Sequence, residues 1–185
     1  ELLDIPVYLM TEPELAAEPA LDIRPWGWDA ALRKRLSGLG VDESLLPSMQ
    51  QISVWREYSH RSKSVSLLPE LQLNEHFCGE SYYLKTPEEW KSFVEEREGC
   101  LLKAPLSGSG KGLNWCKGTF TPFISGWCTR VAALQGGVIA EPIYNKVEDF
   151  ALEFYSDGAG EVTFAGYSLF RTGKSGMYEG NYLLS

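Results

Sequence analysis

Glycine and serine alternate in a short loop that carries one lysine before it and one within it. The segment LLKAPLSGSGKGL runs from Leu101 to Leu113 and places these lysines at Lys103 and Lys111. Glycine lets the backbone approach a ligand closely, and successive backbone N–H groups make a concave anion site. Lysine ammonium groups add point charges that suit phosphate. The pattern predicts a cradle for nucleotide phosphates, and its alternative is a flexible hairpin turn rich in Gly and Ser.

Two well-known phosphate-binding motifs do not fit this loop. A Walker loop needs glycine where Pro105 stands and serine or threonine where Gly112 follows Lys111. The dinucleotide fingerprint G-x-G-x-x-G needs a third glycine where Leu113 stands. A phosphate site here would therefore belong to another class of nucleotide-binding protein.

Length and composition argue against several classes of protein, among them nucleic-acid-binding, membrane-spanning and zinc-binding proteins. The chain has 185 residues, enough for one large or two small domains, and a net charge of −8. The acidic balance argues against a nucleic-acid partner, and no apolar run is long enough for a membrane span. Four cysteines without a C-x-x-C pair argue against zinc and favour a reducing cytoplasm. The chain starts with glutamate and has no basic signal-peptide start, so we expect an excised fragment or a processed form.

Hydrophobic spacing predicts mostly helical structure in the first part of the chain. Apolar residues recur at helical intervals over 30–39, and helices are predicted from about 48 to 58 and from 61 to 68. We therefore predict an N-terminal, mostly helical region over residues 1–75. A second region, 76–185, carries the loop.

Strands and capped helices alternate in this second region. Thr86-Pro87-Glu88-Glu89 reads as the capping box of a helix over 87–97, and a second helix is expected over 122–135. Strands near 100–103, 138–142, 149–156 and 162–170 are expected to share one antiparallel-rich sheet, with the helices on one face. The last two should pair as a hairpin. The predicted fold class is α+β.

The order of these elements resembles the ATP-grasp superfamily over residues of about 60–185. The elements follow one another in this order: a strand, a capped helix, a strand ending in lysine, a Gly-rich loop, a helix, an apolar strand that leads into an acidic hinge, and a hairpin. The hinge carries Glu141 and, seven residues later, Glu148. This order is more specific than any single motif in the chain.

The resemblance implies ATP as the cofactor and assigns roles to individual residues. Lys103 would contact ATP phosphate, and the loop residues Ser107, Gly108, Ser109 and Gly110 would cover the phosphates. The hinge backbone with Glu141 and Ile143 would meet adenine, and Glu148 would hold the ribose hydroxyls. Arg61 or Lys63 could supply an earlier basic residue. Lys174 or Arg171 could supply a later one, and the alternative for Lys174 is a solvated loop lysine.

The chain departs from the family at the metal site. ATP-grasp ligases hold Mg²⁺ with an acid followed by a Glu-x-Asn pair, on strands well beyond the hinge. The Glu-x-Asn that follows the hinge here, Glu179-Gly180-Asn181, comes too early and has no acidic partner upstream. We therefore expect the Mg²⁺ ligands to be missing from this chain, as in an ATP-grasp fold truncated at its C-terminus, and assign no metal ligand and no catalytic residue.

The leading functional hypothesis is the ATP-binding part of a ligase. Such a ligase would convert the carboxylate of a small molecule or peptide into an acylphosphate, which an amine or thiol then attacks. Because of the missing ligands, we expect the chain as given to be inactive. The alternative is a non-catalytic nucleotide-binding or interaction module. A hydrolase built on His76 and Cys78 is a distant third, since no group that would orient the histidine is evident.

Overall fold

The computed structural model describes residues 8–17, 22–76 and 79–182. The chain separates into two compact units, Glu1–Ser59 and His60–Ser185. The sequence instead predicts a domain boundary near residue 75, and that boundary stays a prediction. Cys78 of the hydrolase hypothesis lies outside the described residues.

Short helices form the described part of the first unit. They are α1 (Glu12–Ala17), α2 (Ala30–Gly38), a 3-10 turn (Glu43–Leu45) and α3 (Met49–Tyr58). Asp29 caps the start of α2, and Ser48 with Gln51 makes a capping box at the start of α3. The Arg33 side chain donates to the Pro47 carbonyl at 2.7 Å, which ties α2 to the segment before α3.

Helices and strands alternate in the second unit. The helices are α4 (Ser62–Leu71), α5 (Pro87–Glu95) and α6 (Pro122–Gln135). The strands are β1 (Tyr82–Leu84), β2 (Cys100–Lys103), β3 (Leu113–Cys116), β4 (Val138–Pro142), β5 (Asp149–Ser156), β6 (Val162–Thr172) and β7 (Tyr178–Asn181). The expectation that α4 ends before Pro69 is wrong, because a proline near a helix end removes only one hydrogen bond. None of the helices in the described ranges has the length and apolar character needed to cross a membrane.

The strands form antiparallel sheets, which confirms the predicted α+β class. Within the described residues, one sheet has the strand order β1-β4-β2-β3 and a second has the order β5-β6-β7. The expectation of a single shared sheet is wrong. Residues 143–148 form no strand, so the chain leaves the first sheet after β4. β5 then pairs with β6 as the predicted hairpin.

Local signals set the ends of α5 and α6. The Thr86 hydroxyl accepts the Glu89 N–H at 3.3 Å, and the Glu89 carboxylate accepts the Thr86 N–H at 2.9 Å, which confirms the capping box. Thr121 caps α6, whose first residue is Pro122. Gly136 ends α6 with a φ of +80°, a conformation that other residues adopt at a cost.

The core lies between the first sheet and helices α5 and α6. Leu102 of β2 pairs with Ala140 of β4, and both side chains are completely buried. The buried cluster comprises Trp90, Phe93, Val94, Cys100, Leu102, Cys116, Ile124, Cys128, Val138 and Ala140. Helices therefore cover one face of this sheet, as predicted. Burial raises the pKa of the Cys128 thiol to about 12, so this cysteine is neutral at ordinary pH.

The second sheet exposes large apolar side chains. Phe154 and Phe164 contact each other across β5 and β6 at 5.7 Å between ring centroids, yet each is about 60% exposed. Phe150, Leu152, Val162 and Tyr167 are exposed to a similar degree. This sheet therefore contributes little to the buried core, which the first sheet and its two helices supply.

Truncating Leu102 tests the core. Leu102→Ala should lower the free energy of unfolding by about 2–5 kcal/mol, because a fully buried side chain leaves a cavity. Urea denaturation followed by circular dichroism measures the loss. Leu134 of α6 is 77% exposed, so Leu134→Ala should change the unfolding free energy by less than about 0.5 kcal/mol. Equal losses in the two variants would contradict the placement of Leu102.

The capping box should make stability depend on pH. Hydrogen bonds from the Lys85 and Thr86 N–H groups hold the pKa of Glu89 below its usual value of 4.5. A lowered pKa stabilises the fold above the unfolded value, and this contribution disappears as the pH falls through the folded value. Glu89→Gln should therefore lose less unfolding free energy than the wild type between pH 7 and pH 3. Glu88→Gln, one residue earlier in the same turn, is the control and should retain the wild-type pH dependence.

Candidate functional site

A cleft of about 670 Å³ opens on the side of the first sheet opposite α5 and α6. The first sheet contributes side chains of β2 and β3, and the second contributes the start of β5 and the end of β6. The lining residues are Arg61, Leu101, Lys103, Gly110, Lys111, Leu113, Trp115, Lys146, Asp149, Phe170, Thr172, Gly173, Lys174 and Gly176. A volume of this size is typical of sites for small molecules and cofactors.

Positive charge dominates the cleft although the chain is acidic. Among the described residues, five cationic side chains line it, and Asp149 is the one acid in the lining: Arg61, Lys103, Lys111, Lys146 and Lys174. In the described part of the chain, neither Lys111 nor Lys174 has an ion-pair partner. Such a concentration of cations in a concave surface attracts an anion of several charges.

Arg61 is the most firmly held of these cations. Its Nη1 donates to the Ala104 carbonyl at 2.8 Å and to the Ser107 hydroxyl at 2.9 Å. Its backbone N–H donates to the Pro105 carbonyl at 3.2 Å. Burial lowers the pKa of the Arg61 guanidinium, but arginine stays charged at neutral pH. Arg61 therefore braces the turn that follows β2 while its charge faces the cleft.

The Gly-rich loop folds against the turn between β6 and β7. Gly110 has a φ of +75°, and a Cβ there would lie 2.6 Å from the Gly176 carbonyl oxygen, so glycine is required for space as well as conformation. The Trp115 indole N–H donates to the Ser175 carbonyl at 3.3 Å. Gly110, Trp115 and Gly176 all line the cleft, so this contact forms part of its wall.

Lys103 and Glu141 form an ion pair between neighbouring strands. The Lys103 ammonium donates to one Glu141 carboxylate oxygen, and the Ser81 hydroxyl donates to the other at 3.2 Å. The two side chains of the pair are only 22% and 25% exposed. Lys103 lines the cleft, whereas Glu141 lies outside its lining and borders a separate pocket of about 330 Å³.

Lys146, Asp149 and Thr172 make a compact network on the opposite wall. Lys146 donates to Asp149 at 2.7 Å and to the Thr172 hydroxyl at 2.6 Å, and Thr172 donates to the same Asp149 oxygen at 2.6 Å. These hydrogen bonds, that from Lys146 first, lower the pKa of Asp149. The acid is therefore ionised at neutral pH and already has two donors.

The structure brings some of the predicted residues to the cleft. Lys103, Gly110 and Lys174 line it. Ser107 is outside the lining, and its hydroxyl accepts a hydrogen bond from Arg61. Gly108 and Ser109 are exposed at the tip of the loop, where Ser109 has a φ of +51°.

Other predicted residues lie away from the cleft lining. Ile143 is exposed just beyond β4, and Glu148 borders a smaller pocket of about 170 Å³ beside Asp149. The proposed contacts of Glu141, Ile143 and Glu148 with the base and ribose stay predictions.

Among the cleft residues that the sequence did not predict, three carry hydrogen-bonding side chains that form one network: Lys146, Asp149 and Thr172. The spacing of Lys146 and Asp149, three apart, offered a weak signal of an ion pair. Thr172 offered none, because only the pairing of β5 with β6 brings it beside Asp149.

The described acids, histidines and cysteines do not form a metal site. No group of three such residues could hold a metal ion within the described ranges. Glu179, of the Glu-x-Asn sequence, instead pairs with Arg171 at 3.1 Å. Asp149 is the one acid among the described residues of the cleft lining, and it already pairs with Lys146. The lining therefore suits an anion better than a Mg²⁺ ion that protein oxygens alone would hold.

Comparisons with known proteins find likenesses among solved structures and none in sequence. No family model matches the chain. No curated protein matches it in sequence. A solved structure of D-alanyl-alanine synthetase A from Vibrio cholerae O1 biovar eltor strain N16961 is 14% identical to it, with a TM-score of 0.45. The match covers 77% of this chain and 41% of that chain, so this chain spans about two fifths of that protein's length.

Proposed function

We propose that the cleft binds ATP and that the chain is the ATP-binding part of an ATP-grasp ligase. The observation that carries the proposal is the concentration of Arg61, Lys103, Lys111, Lys146 and Lys174 in one cleft of an acidic chain. A triphosphate brings several negative charges, and these cations would offset them. The proposed domain is 76–185, to which Arg61 adds a side chain from just before it.

The position of the Gly-rich loop supports the same ligand. The loop joins β2 to β3 and ends against the β6–β7 turn, so that its backbone borders the cations. In the proposed complex, Ser107, Gly108, Ser109 and Gly110 cover the phosphates, and Lys103 with Lys174 contacts them. Adenine would lie toward the hinge, against Glu141 and the backbone at Ile143, with the ribose hydroxyls at Glu148.

The proposed reaction class follows from the family resemblance of the element order. The parent enzyme would transfer the terminal phosphoryl group of ATP to a substrate carboxylate, which yields an acylphosphate and ADP. An amine or thiol would then displace phosphate. The substrate would be a small molecule or a peptide, with no nucleic-acid or membrane partner. The buried free thiols agree with a cytoplasmic location.

A second candidate is a non-catalytic nucleotide-binding or interaction module. It is favoured by the pairing of Glu141 and Asp149 with Lys103 and Lys146, because both acids nearest the cleft already have cationic partners. The two candidates share ATP binding. They differ in whether the parent protein turns ATP over, and both predict no turnover by these 185 residues alone.

Replacing Lys103 tests ATP binding. Lys103→Met keeps the apolar stem and should weaken ATP binding by about 1–3 kcal/mol, because a charge-assisted contact with phosphate is lost. Isothermal titration calorimetry measures the affinity. Lys117→Met removes an exposed lysine outside the cleft and is the matched control. Equal ATP affinity in the wild type and Lys103→Met would remove Lys103 from the site.

Phosphate release tests whether these 185 residues by themselves support turnover. We expect residues 1–185 to release no phosphate from ATP with Mg²⁺. Asp149, the one acid among the described residues of the cleft lining, already pairs with Lys146, and no group of three described acids, histidines or cysteines could hold the metal. A coupled phosphate-release assay measures the rate. Mg²⁺-dependent release above a Lys103→Met control would contradict this expectation. Glu179 and Asn181 would then be the first residues to replace.

A further inference from the structure

The strand register places Lys103 and Glu141 on the same face of the first sheet. β2 and β4 pair antiparallel, with Leu101 opposite Glu141 and Lys103 opposite Ile139. Side chains of opposed residues point to the same side of a sheet, and diagonal neighbours lie within reach of long side chains. The ion pair is such a diagonal contact, built into the register of two adjacent strands.

The Glu141 carboxylate is held from two sides. One oxygen accepts a hydrogen bond from the Lys103 ammonium, and the other accepts one from the Ser81 hydroxyl, with 3.2 Å between the hydroxyl and carboxylate oxygens. About three quarters of each charged side chain is buried. The pair is therefore a built feature of the fold and not a loose surface contact, since burial weakens screening by water and salt.

An incoming phosphate competes with this carboxylate for Lys103. The ammonium has three donors, but two anions at one ammonium repel each other in a partly buried site. A ligand that offers only phosphate would leave Glu141 with the Ser81 hydroxyl as its remaining donor. A ligand that also brings an N–H donor for Glu141 would replace the partner that the carboxylate loses.

We infer that Glu141 determines specificity by competing with phosphate for Lys103, so that the cleft favours phosphate ligands that also supply a hydrogen-bond donor to Glu141. The inference rests on the proposed function in one respect, namely that ATP, through its exocyclic amine, supplies the hydrogen-bond donor to Glu141. Inorganic tripolyphosphate carries the phosphates without this donor. Comparing the two ligands therefore separates the contribution of the phosphates from that of the donor.

Removing the charge of Glu141 tests the competition. Glu141→Gln should raise the affinity for inorganic tripolyphosphate about five-fold, because the neutral amide no longer competes for Lys103. The affinity for ATP should rise by a smaller factor, because the same variant also removes the carboxylate that would accept a hydrogen bond from the exocyclic amine of ATP. Isothermal titration calorimetry of the full 185-residue chain in metal-free buffer measures both affinities.

Two further variants control for general charge effects. Glu80 borders the same pocket as Glu141 and bonds the Tyr82 hydroxyl at 2.7 Å, so Glu80→Gln removes a nearby charge without touching Lys103. It should leave tripolyphosphate binding unchanged within about two-fold. In the Lys103→Met background, Glu141→Gln should no longer produce the specific gain. Thermal unfolding of each variant confirms that it folds.

The outcomes distinguish the inference from the proposed function. If the wild type does not bind ATP, the proposed function fails, while tripolyphosphate still reports on the competition. Unchanged or weaker tripolyphosphate binding by Glu141→Gln overturns the inference, whatever ATP does. An equal gain for ATP and tripolyphosphate, or a gain that persists without Lys103, also overturns it.

Discussion

The antiparallel pairing of β2 with β4 separates a dry core from a charged cleft. Alternate residues of a strand point to opposite faces, so Leu102 and Ala140 enter the core while Lys103 and Glu141 lie on the cleft side. A shift of the register by one residue would exchange these two sets. The burial that stabilises the fold therefore also fixes the cation that we place at the phosphates.

Acidic side chains neutralise part of the positive charge that the cleft gathers. Lys103 and Lys146 each pair with an acid, whereas Lys111 and Lys174 have no such partner within the described ranges. Unpaired cations close together repel one another, and acidic neighbours reduce that cost. This arrangement explains how an acidic chain can gather five cations in one cleft.

Glycine has a specific role where two parts of the chain approach. Gly110 in the loop meets Gly176 in the β6–β7 turn, and each has a positive φ. A side chain at Gly110 would meet backbone atoms, which cannot move aside as a flexible side chain can. The glycine content that predicts a phosphate cradle thus also serves the packing of the loop on its neighbour.

Local signals in the sequence determined several parts of this structure. The Thr86–Glu89 capping box and Gly136 at the end of α6 act within one helical turn, so their effect can be predicted without the rest of the fold. The hairpin of β5 and β6 is similarly local. The composition of the Gly-rich loop, with Lys103 before it, is likewise a local pattern that can be read from the sequence alone.

Tertiary structure alone decided which polar and charged side chains contact one another. Lys103 and Glu141 are 38 positions apart, Arg61 lies 46 positions before Ser107, and Thr172 lies 23 positions after Asp149. Strand register and packing bring these residues together, and neither is encoded within any short window. The division into two sheets has the same origin, because hydrophobic spacing predicts that a strand exists but does not identify its partner.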